Sequence, residues 1–461
     1  MAPHSKARTA LTELREDLTG EVFAPDDPGY DGARQVFNAM IDRRPAVIAQ
    51  CADAEDVVRA VRFARDLDLA VAVRGGGHSV AGMALCDNGL VVDLRRMHEV
   101  TVHPAAKAAR VQGGATMSHL DRACEPHGLA TPGGRASTTG VGGFVLGGGD
   151  GWLSRAFGLA SDNLLGVELV TADGQVVEAT AEENPELFWA LHGGGGNFGI
   201  ATALTLRLHD LPAMSIAMAF CLPEYGPQLV ATYREVIEAG PTETAGGVIY
   251  LTAPPEPFIP EHLVGQRVSG VLLTYPGPDD ELRKLAEPLL AIPHEVEMVM
   301  PIPYAELQCM LDDPPGMRNY WSAEYLTGIP DAFVDAFCAL GDAMPVPTGT
   351  QHVVWPQGGA IAAGAADWPL GYRRDATWAV HPFGVWEDPS DDERVREWVR
   401  DVRAGVAPWS TGATYLNFIG DEGADRVAAG LGPENMQRLG RVKREYDPDN
   451  VFRFNHNVKP L

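Results

Sequence analysis

Val71-Ala72-Val73-Arg74-Gly75-Gly76-Gly77-His78-Ser79 is an apolar strand that runs straight into three glycines and a histidine. Three consecutive residues without a Cβ let main-chain N–H groups come close to something bulky and anionic, and they leave the face of the His78 imidazole open to a planar ring. Neutral imidazole is a competent nucleophile. One such loop is only a tight turn in many proteins. Two further clusters, Gly147 to Gly149 and Gly193 to Gly196, lie in the same half of the chain, and together they fit a dinucleotide pyrophosphate.

Around this loop the pattern is α/β. Ala46 to Ala49 reads as a strand, and a helix begins near Asp53 with Val57, Val58, Val61 and Ala64 on one face. Leu90 to Leu94 and Ala109 to Gln112 read as strands, and Thr116 to Glu125 as a helix. Strands flank the hairpin signal Asp173-Gly174, Asn184 opens a helix over Pro185 to Leu191, and Ile200 to Leu208 is a long alternating strand. After Pro212 the composition turns toward proline and aromatic residues. Gly246 to Leu251 and Val268 to Thr274 read as strands, Glu281 to Leu290 and Glu393 to Val402 as helices, which suits an antiparallel sheet backed by helices. The stretch from Tyr415 reads as a strand followed by a helix over Pro433 to Glu445.

With 461 residues, 45% of them apolar, the chain has room for two domains with cores of their own. Lys and Arg number 36 against 62 Asp and Glu, a formal charge of -26. That balance repels phosphate backbones and anionic membrane surfaces. No stretch reaches the roughly 18 apolar residues of a membrane helix, and Met1 to Gly20 lacks the apolar core of a signal peptide. A cytoplasmic protein without nucleic-acid or membrane partners is expected. The six cysteines form no Cys-x-x-Cys pair and none sits at metal-ligand spacing from a histidine, so reduced thiols and no metal are expected.

The order of segments is informative. Arg74 to Ser79, Pro132 through Gly143, Gly147-Gly148-Gly149-Asp150-Gly151-Trp152-Leu153-Ser154-Arg155, Asn184 to Trp189, Gly194 to Gly199 and the ending Lys443 to Asn457 resemble the flavin domain of the berberine-bridge-enzyme group of the vanillyl-alcohol-oxidase family. The resemblance implies an α+β fold with a flavin-adenine dinucleotide (FAD) domain split in sequence: residues 1–212 with a core from 43, then a substrate domain over 213–411, then 412–461 completing the first domain. It implies FAD linked covalently through His78 alone, because the position of a second, cysteinyl link is Ala136; a frequent histidine position is Phe144 here, a further departure that bears on the flavin's surroundings. The cofactor would contact Arg74, Gly75, Gly76, Gly77, Ser79, Thr138, Thr139, Gly142, Gly143, Gly149, Trp152, Gly199, Ile200, Asn417 and Asn455. In the Tyr-x-Asn-Tyr pattern that often carries the family's base, this chain reads Tyr415-Leu416-Asn417-Phe418. Asn417 remains as a hydrogen-bonding group, and Tyr325, Tyr320 or Tyr415 are nominated as bases, although a packing role explains each of them better than catalysis. Tyr320, Trp321 and Trp378 are nominated for the substrate, a small organic molecule.

The expected reaction is an oxidation that passes a hydride to flavin N5 and the electrons on to dioxygen. Thr139, small and β-branched, would leave room for that oxygen. Oxygenation by a flavin monooxygenase of secondary metabolism is an alternative within the same fold. From another class, an α/β-hydrolase with Ser79 as nucleophile is suggested by Gly77-His78-Ser79-Val80-Ala81, but the elbow's last glycine is missing and Gly82 follows where a helix should start.

Overall fold

The computed structural model describes residues 3–365, 367–371 and 374–461. The first lobe is built on two sheets. In the smaller one the strands lie in the order Glu21–Phe23, Val47–Gln50, Leu90–Asp93, Val71–Arg74, the last three parallel. The helix Ala54–Asp66 makes the crossover. Asp53 caps it by accepting from the Asp56 N–H at 2.9 Å, and Val57, Ala60, Val61 and Ala64, spaced for one helical face, are buried on the sheet. The helix Pro3–Asp17 adds Leu14 to the same core, and Leu18 joins it just past the helix end. The second sheet is antiparallel, in the order Val100–His103, Ala108–Gln112, Ile200–Arg207, Leu164–Val170, Val176–Ala179, with Asp173 and Gly174 in the hairpin as expected.

An eight-stranded antiparallel sheet forms the second lobe. Its order is Val296–Pro301, Ser215–Cys221, Arg267–Tyr275, Ala245–Thr252, Gln351–Pro356, Trp378–Trp386, Arg318–Trp321, with Glu324–Leu326 also on Trp378–Trp386. Strand alternation divides its side chains. One face packs Val248, Val271, Val354, Trp378 and Val380 under Tyr233, Leu282, Phe333, Phe337 and Trp398 of the covering helices. The other packs Ile216, Val353 and Trp355 against Trp152 and Leu153 of the first lobe. The sheet therefore presents an apolar wall toward the first lobe, and the cavity described below lies at that junction.

The chain then returns to the first lobe. Lys443, on the helix Pro433–Tyr446, is wholly buried, and its Nζ donates to the Asn197 carbonyl at 2.7 Å and the Phe452 carbonyl at 2.8 Å while pairing with Asp447 at 2.6 Å. Burial lowers its pKa and the Asp447 carboxylate opposes that shift. Asp447 in turn accepts from the Val451 and Phe452 N–H groups. A buried pair with every partner in place locks this segment, because removing one partner strands a charge at a cost of about 3–5 kcal/mol.

Two local expectations are corrected. Leu416–Phe418 form a 3₁₀ turn rather than a strand, and the Asn417 amide bonds the Phe144 carbonyl and the Tyr415 hydroxyl, holding the backbone away from a ladder. Asn184 does precede a helix, Pro185–Ala190, but it stands at φ +52° and its side chain bonds the Glu178 carbonyl, so it does not cap by its amide.

Candidate active site

A cavity of about 350 Å³ opens between the glycine loops and the sheet. Its first wall is main chain. The loop after Val71–Arg74 and the turn before the helix Val141–Leu146 pack so closely that a Cβ on Gly76 would strike Gly140 and one on Gly140 would strike Gly76. Those glycines serve the loop-to-loop contact. Gly143, Gly195 and Gly196 differ: all three line the cavity, and among the described residues a Cβ there would meet nothing within 4 Å beyond the adjoining backbone. Their bare faces look into open space.

His78 stands half-buried at the edge of this wall. Its ring stacks on Phe37, centroids 4.0 Å apart and planes 19° apart, and Nε2 lies 2.7 Å from Thr138 Oγ1. Burial pushes the imidazole down to about 4, so near neutral pH it is uncharged and one ring nitrogen keeps a lone pair. Asn38 fixes the loop: its amide donates to the Val80 carbonyl at 2.8 Å and the Asn319 carbonyl at 2.9 Å, and accepts from the Asn319 N–H. The histidine loop is thus tied to the edge strand that carries Trp321.

The opposite wall is side chain: Trp321, Gln351, Trp355, Phe383 and Val385 from the sheet, with Asn417 and Phe418 from the returning segment. Arg135 lies over Trp355, 4.4 Å from the ring centroid, and its guanidinium bonds the Asp150 carbonyl and carboxylate. Asp150 also accepts from Gln357 at 3.2 Å. Asp313 lines the cavity with its carboxyl pushed up to about 6 by burial and the neighbouring Asp312.

Of the residues nominated from sequence, Gly75, Gly76, Gly77, His78, Ser79, Thr139, Gly142, Gly143, Gly199, Ile200, Trp321, Asn417 and Asn455 line the cavity, and Thr138 touches it through His78. Arg74, Gly149, Trp152, Tyr320, Tyr325, Tyr415 and Trp378 do not. Arg74 turns its guanidinium to the Ala33 carbonyl. Gly149 abuts Phe144 and Ala160, and Trp152 packs edge-on against Trp355. Strand parity explains two of the sheet residues: Tyr320 faces the helices under Arg396, and Trp378 packs on Tyr233. The Tyr415 hydroxyl receives the Gly149 and Asp150 N–H groups at 2.6 and 3.1 Å, which makes it a buried strut. Burial raises the pKa of both Tyr415 and Tyr325, with Asp150 adding to both. Ser79 is followed by turns rather than a helix, and its hydroxyl accepts from Met83 N–H, while His78 bonds Thr138. A hydrolase elbow is absent at this position.

Phe37, Asn38, Arg135, Asp150, Gln351, Trp355 and Phe383 escaped the sequence reading. The alternation Gln351-x-Val353-x-Trp355, on a strand facing the glycine lobe, was the signal that could have found the last group.

The donor set suits a flavin dinucleotide. Besides the bare glycine faces, Asn455 and Asn457 carry buried side-chain oxygens without a partner among the described residues, and Asn455 lines the cavity. The comparisons agree. Residues 45–180 match the FAD binding domain model and residues 414–459 the berberine and berberine-like model. The chain is 33% identical to (R)-6-hydroxynicotine oxidase of Paenarthrobacter nicotinovorans over 99% of each chain, and 31% identical to the FAD-linked oxidoreductase YgaK of Bacillus subtilis over 96% of this chain and 98% of that one. The crystal structure of 6-hydroxy-D-nicotine oxidase from Arthrobacter nicotinovorans superposes with a TM-score of 0.86 at 29% identity, covering 96% of this chain and 99% of that one. Fold alone is shared with the xylooligosaccharide oxidase of Myceliophthora thermophila, TM-score 0.83 at 23% identity, covering 98% of this chain and 99% of that one.

The fold and the cavity define a flavoprotein oxidoreductase. More narrowly, this chain belongs to the berberine-bridge-enzyme-like, FAD-linked oxidoreductases of the vanillyl-alcohol-oxidase family. Among the described residues no helix is long and apolar enough to cross a membrane, and no cluster of three metal-ligating side chains occurs.

Proposed function

We propose that the chain is an oxidase that carries FAD covalently on His78 alone, oxidises a small organic donor and returns the electrons to dioxygen. The observation that carries the reading is the placing of a neutral, loop-borne imidazole at the mouth of a cavity whose near wall is bare main chain. Ala136, on the same cavity lining, has no thiol for a second link.

When bound, FAD supplies a two-electron acceptor for the donor's C–H bond. The chain's own residues do the rest. Gly143, Gly195 and Gly196 admit the cofactor without a Cβ in its path, and Asn455 offers it an unpaired acceptor. Residues 412–461 complete the cofactor domain, since Lys443 ties them to Asn197 beside the glycine wall. The Trp321, Trp355, Phe383 and Phe418 side chains orient the donor and exclude water from it. Asn417 steadies the near wall through Phe144 rather than acting as a base.

Denatured protein on a gel should fluoresce yellow-green under ultraviolet light, and His78→Ala should release its flavin on acid precipitation. A flavin peptide that maps elsewhere refutes the linkage. Bleaching of the flavin absorbance by members of an alcohol, amine, sugar and phenol panel identifies the donor, and recovery in air identifies oxygen as acceptor.

A further inference from the structure

Among the described residues five ionisable side chains line the cavity: His78, Arg135, Asp150, Asp313 and His456. Four of them are engaged. His78 bonds Thr138 and, on the proposed function, carries the flavin. Arg135 and Asp150 pair with each other, and Gln357 holds the second Asp150 oxygen. His456 stands with the cofactor wall, its Nε2 on the Leu416 carbonyl and its own carbonyl receiving the Asn197 amide. Asp313 makes no hydrogen bond or ion pair among the described residues, and it is half-buried, open to the cavity on one side and to solvent on the other.

Its neighbours fix its place. The helix Tyr304–Leu307 and the turn after it reach from the second lobe onto the first, and three side chains hold them there. The Tyr304 hydroxyl accepts from the Gly133 N–H at 3.2 Å, and the Gln308 amide donates to Asp121 at 3.3 Å. Asp312 accepts from the Ser137 N–H at 2.7 Å and from the Ser137 hydroxyl at 2.5 Å. Asp313, the next residue of this strap, is thereby held at the cavity beside the loop that carries Thr138 and Thr139.

Oxidation of a donor at a carbon bearing O–H or N–H releases a hydride and a proton, and a base matched to the working pH speeds such a step by about 10²–10⁴. The tyrosines nominated for that role lie outside the cavity. Burial and the charge of Asp312 push the Asp313 carboxyl up to about 6. Above that pH it is an anion more basic than an ordinary carboxylate; below it the proton is already in place. We propose that Asp313 is the catalytic base of this enzyme: as the donor's C–H bond breaks and its hydride passes to the flavin, the Asp313 carboxylate takes the proton of the donor's O–H or N–H, and the oxidised donor leaves with a C=O or C=N bond. The inference rests on the oxidase reading of the cavity, and it puts the base on the strap of the second lobe rather than in the stretch from Tyr415 to Phe418. Solvent at the open side then carries the proton away.

The test uses the flavin-loaded holoenzyme between about pH 5 and pH 7. In that window His78, pushed down to about 4, is neutral and Asp121, pushed up to about 8, is protonated. His456 is lowered by burial, and the Asp313→Asn variant retains it along with Arg135 and Asp150. The native flavin absorption band should shift with an inflection near pH 6 that Asp313→Asn lacks, and Asp312→Asn, which removes the like charge, should move that inflection to lower pH. Asp313→Ala takes the place of the asparagine variant if that one does not fold. Flavin reduction is then followed after rapid mixing with benzyl alcohol, 4-hydroxybenzyl alcohol or D-glucose, none of which titrates in the window. With each of these that the native enzyme oxidises, the limiting rate should fall about tenfold per pH unit below the inflection, and Asp313→Asn should lower it at least about a hundredfold at neutral pH with the donor's Kd held within about threefold. Asp313→Glu should recover part of the rate. An inflection that survives Asp313→Asn, no inflection in the native protein, or an asparagine variant within about threefold of the native rate overturns the proposal. Where none of the three compounds reduces the native flavin, the titration decides alone. Purified protein without flavin absorbance would instead overturn the oxidase reading beneath it.

Discussion

The two walls of the cavity are made of different material. The near wall is backbone, shaped by glycines that line the cavity or let two loops touch. The far wall is side chain, set on a sheet whose other face is an ordinary hydrophobic core. A main-chain wall can hold one cofactor and little else, because any Cβ fills the space. A side-chain wall can be redrawn ring by ring without disturbing the sheet behind it. On the proposed function, the first wall would answer to the cofactor and the second to the substrate.

If that division is right, damage to the near wall should cost flavin and stability, and damage to the far wall should cost only donor selectivity. The largest effect is expected at Lys443. Lys443→Met leaves Asp447 buried without its cation and the Asn197 and Phe452 carbonyls without a donor. Denaturant unfolding should show a loss of roughly 3–5 kcal/mol, with the flavin content of the purified protein falling alongside. A variant as stable as the native chain would mean that the returning segment is held by its apolar contacts alone.

Gly143→Val comes next. Among the described residues nothing beyond the adjoining helix backbone lies within 4 Å of the added Cβ, so the fold should tolerate it, and Gly143 lines the cavity. Flavin per polypeptide should drop at least about tenfold, the equivalent of some 1.4 kcal/mol of binding, while the far-ultraviolet circular dichroism stays native. Full flavin loading would remove Gly143 from the cofactor wall. On the far wall, Trp355→Ala should keep the flavin and raise the donor's KM several-fold, since a stacked ring is worth about 0.5–1.5 kcal/mol beyond its area. Flavin lost from that variant would erase the distinction between the walls.

This difference in material also explains which parts of the site are legible in the sequence. The near wall announces itself as runs of glycine after strands, with His78 among them, because backbone approach constrains residue type locally. Most of the elements of the first lobe follow from hydrophobic period and caps for the same reason. The far wall is assembled from strands separated by long stretches of chain, Arg318–Trp321, Gln351–Pro356 and Trp378–Trp386, and which side of each faces the cavity depends on register. Hence Trp321 was found and Tyr320 and Trp378 fall on the opposite face, while Trp355 and Phe383 were missed. Tyr415 looks like a base in the sequence because its role as a strut exists only once Gly149 and Asp150 are folded against it.

The smallest predicted effect lies where the two walls meet. Thr139 lines the cavity just before Gly140, and its main chain is pinned on both sides: the N–H donates to the Ala136 carbonyl at 3.2 Å and the carbonyl accepts from Met117 at 2.9 Å. Only the side chain is therefore free to differ in effect. Threonine is β-branched and nearly the size of valine, with a stiff χ1, so it fills its corner without reaching into the cavity as leucine would. Thr139→Leu should slow reoxidation of the anaerobically reduced holoenzyme by a few-fold, with flavin content and donor-driven reduction unchanged. Thr139→Val separates size from chemistry: a rate equal to native assigns the effect to the space left for dioxygen, and a slower one to the hydroxyl. Mixing reduced protein rapidly with oxygenated buffer reads all three rates directly. Sluggish reoxidation of the native protein, indifferent to leucine, would make the enzyme a dehydrogenase that passes its electrons to another acceptor, and would place Thr139 with the packing residues of the near wall.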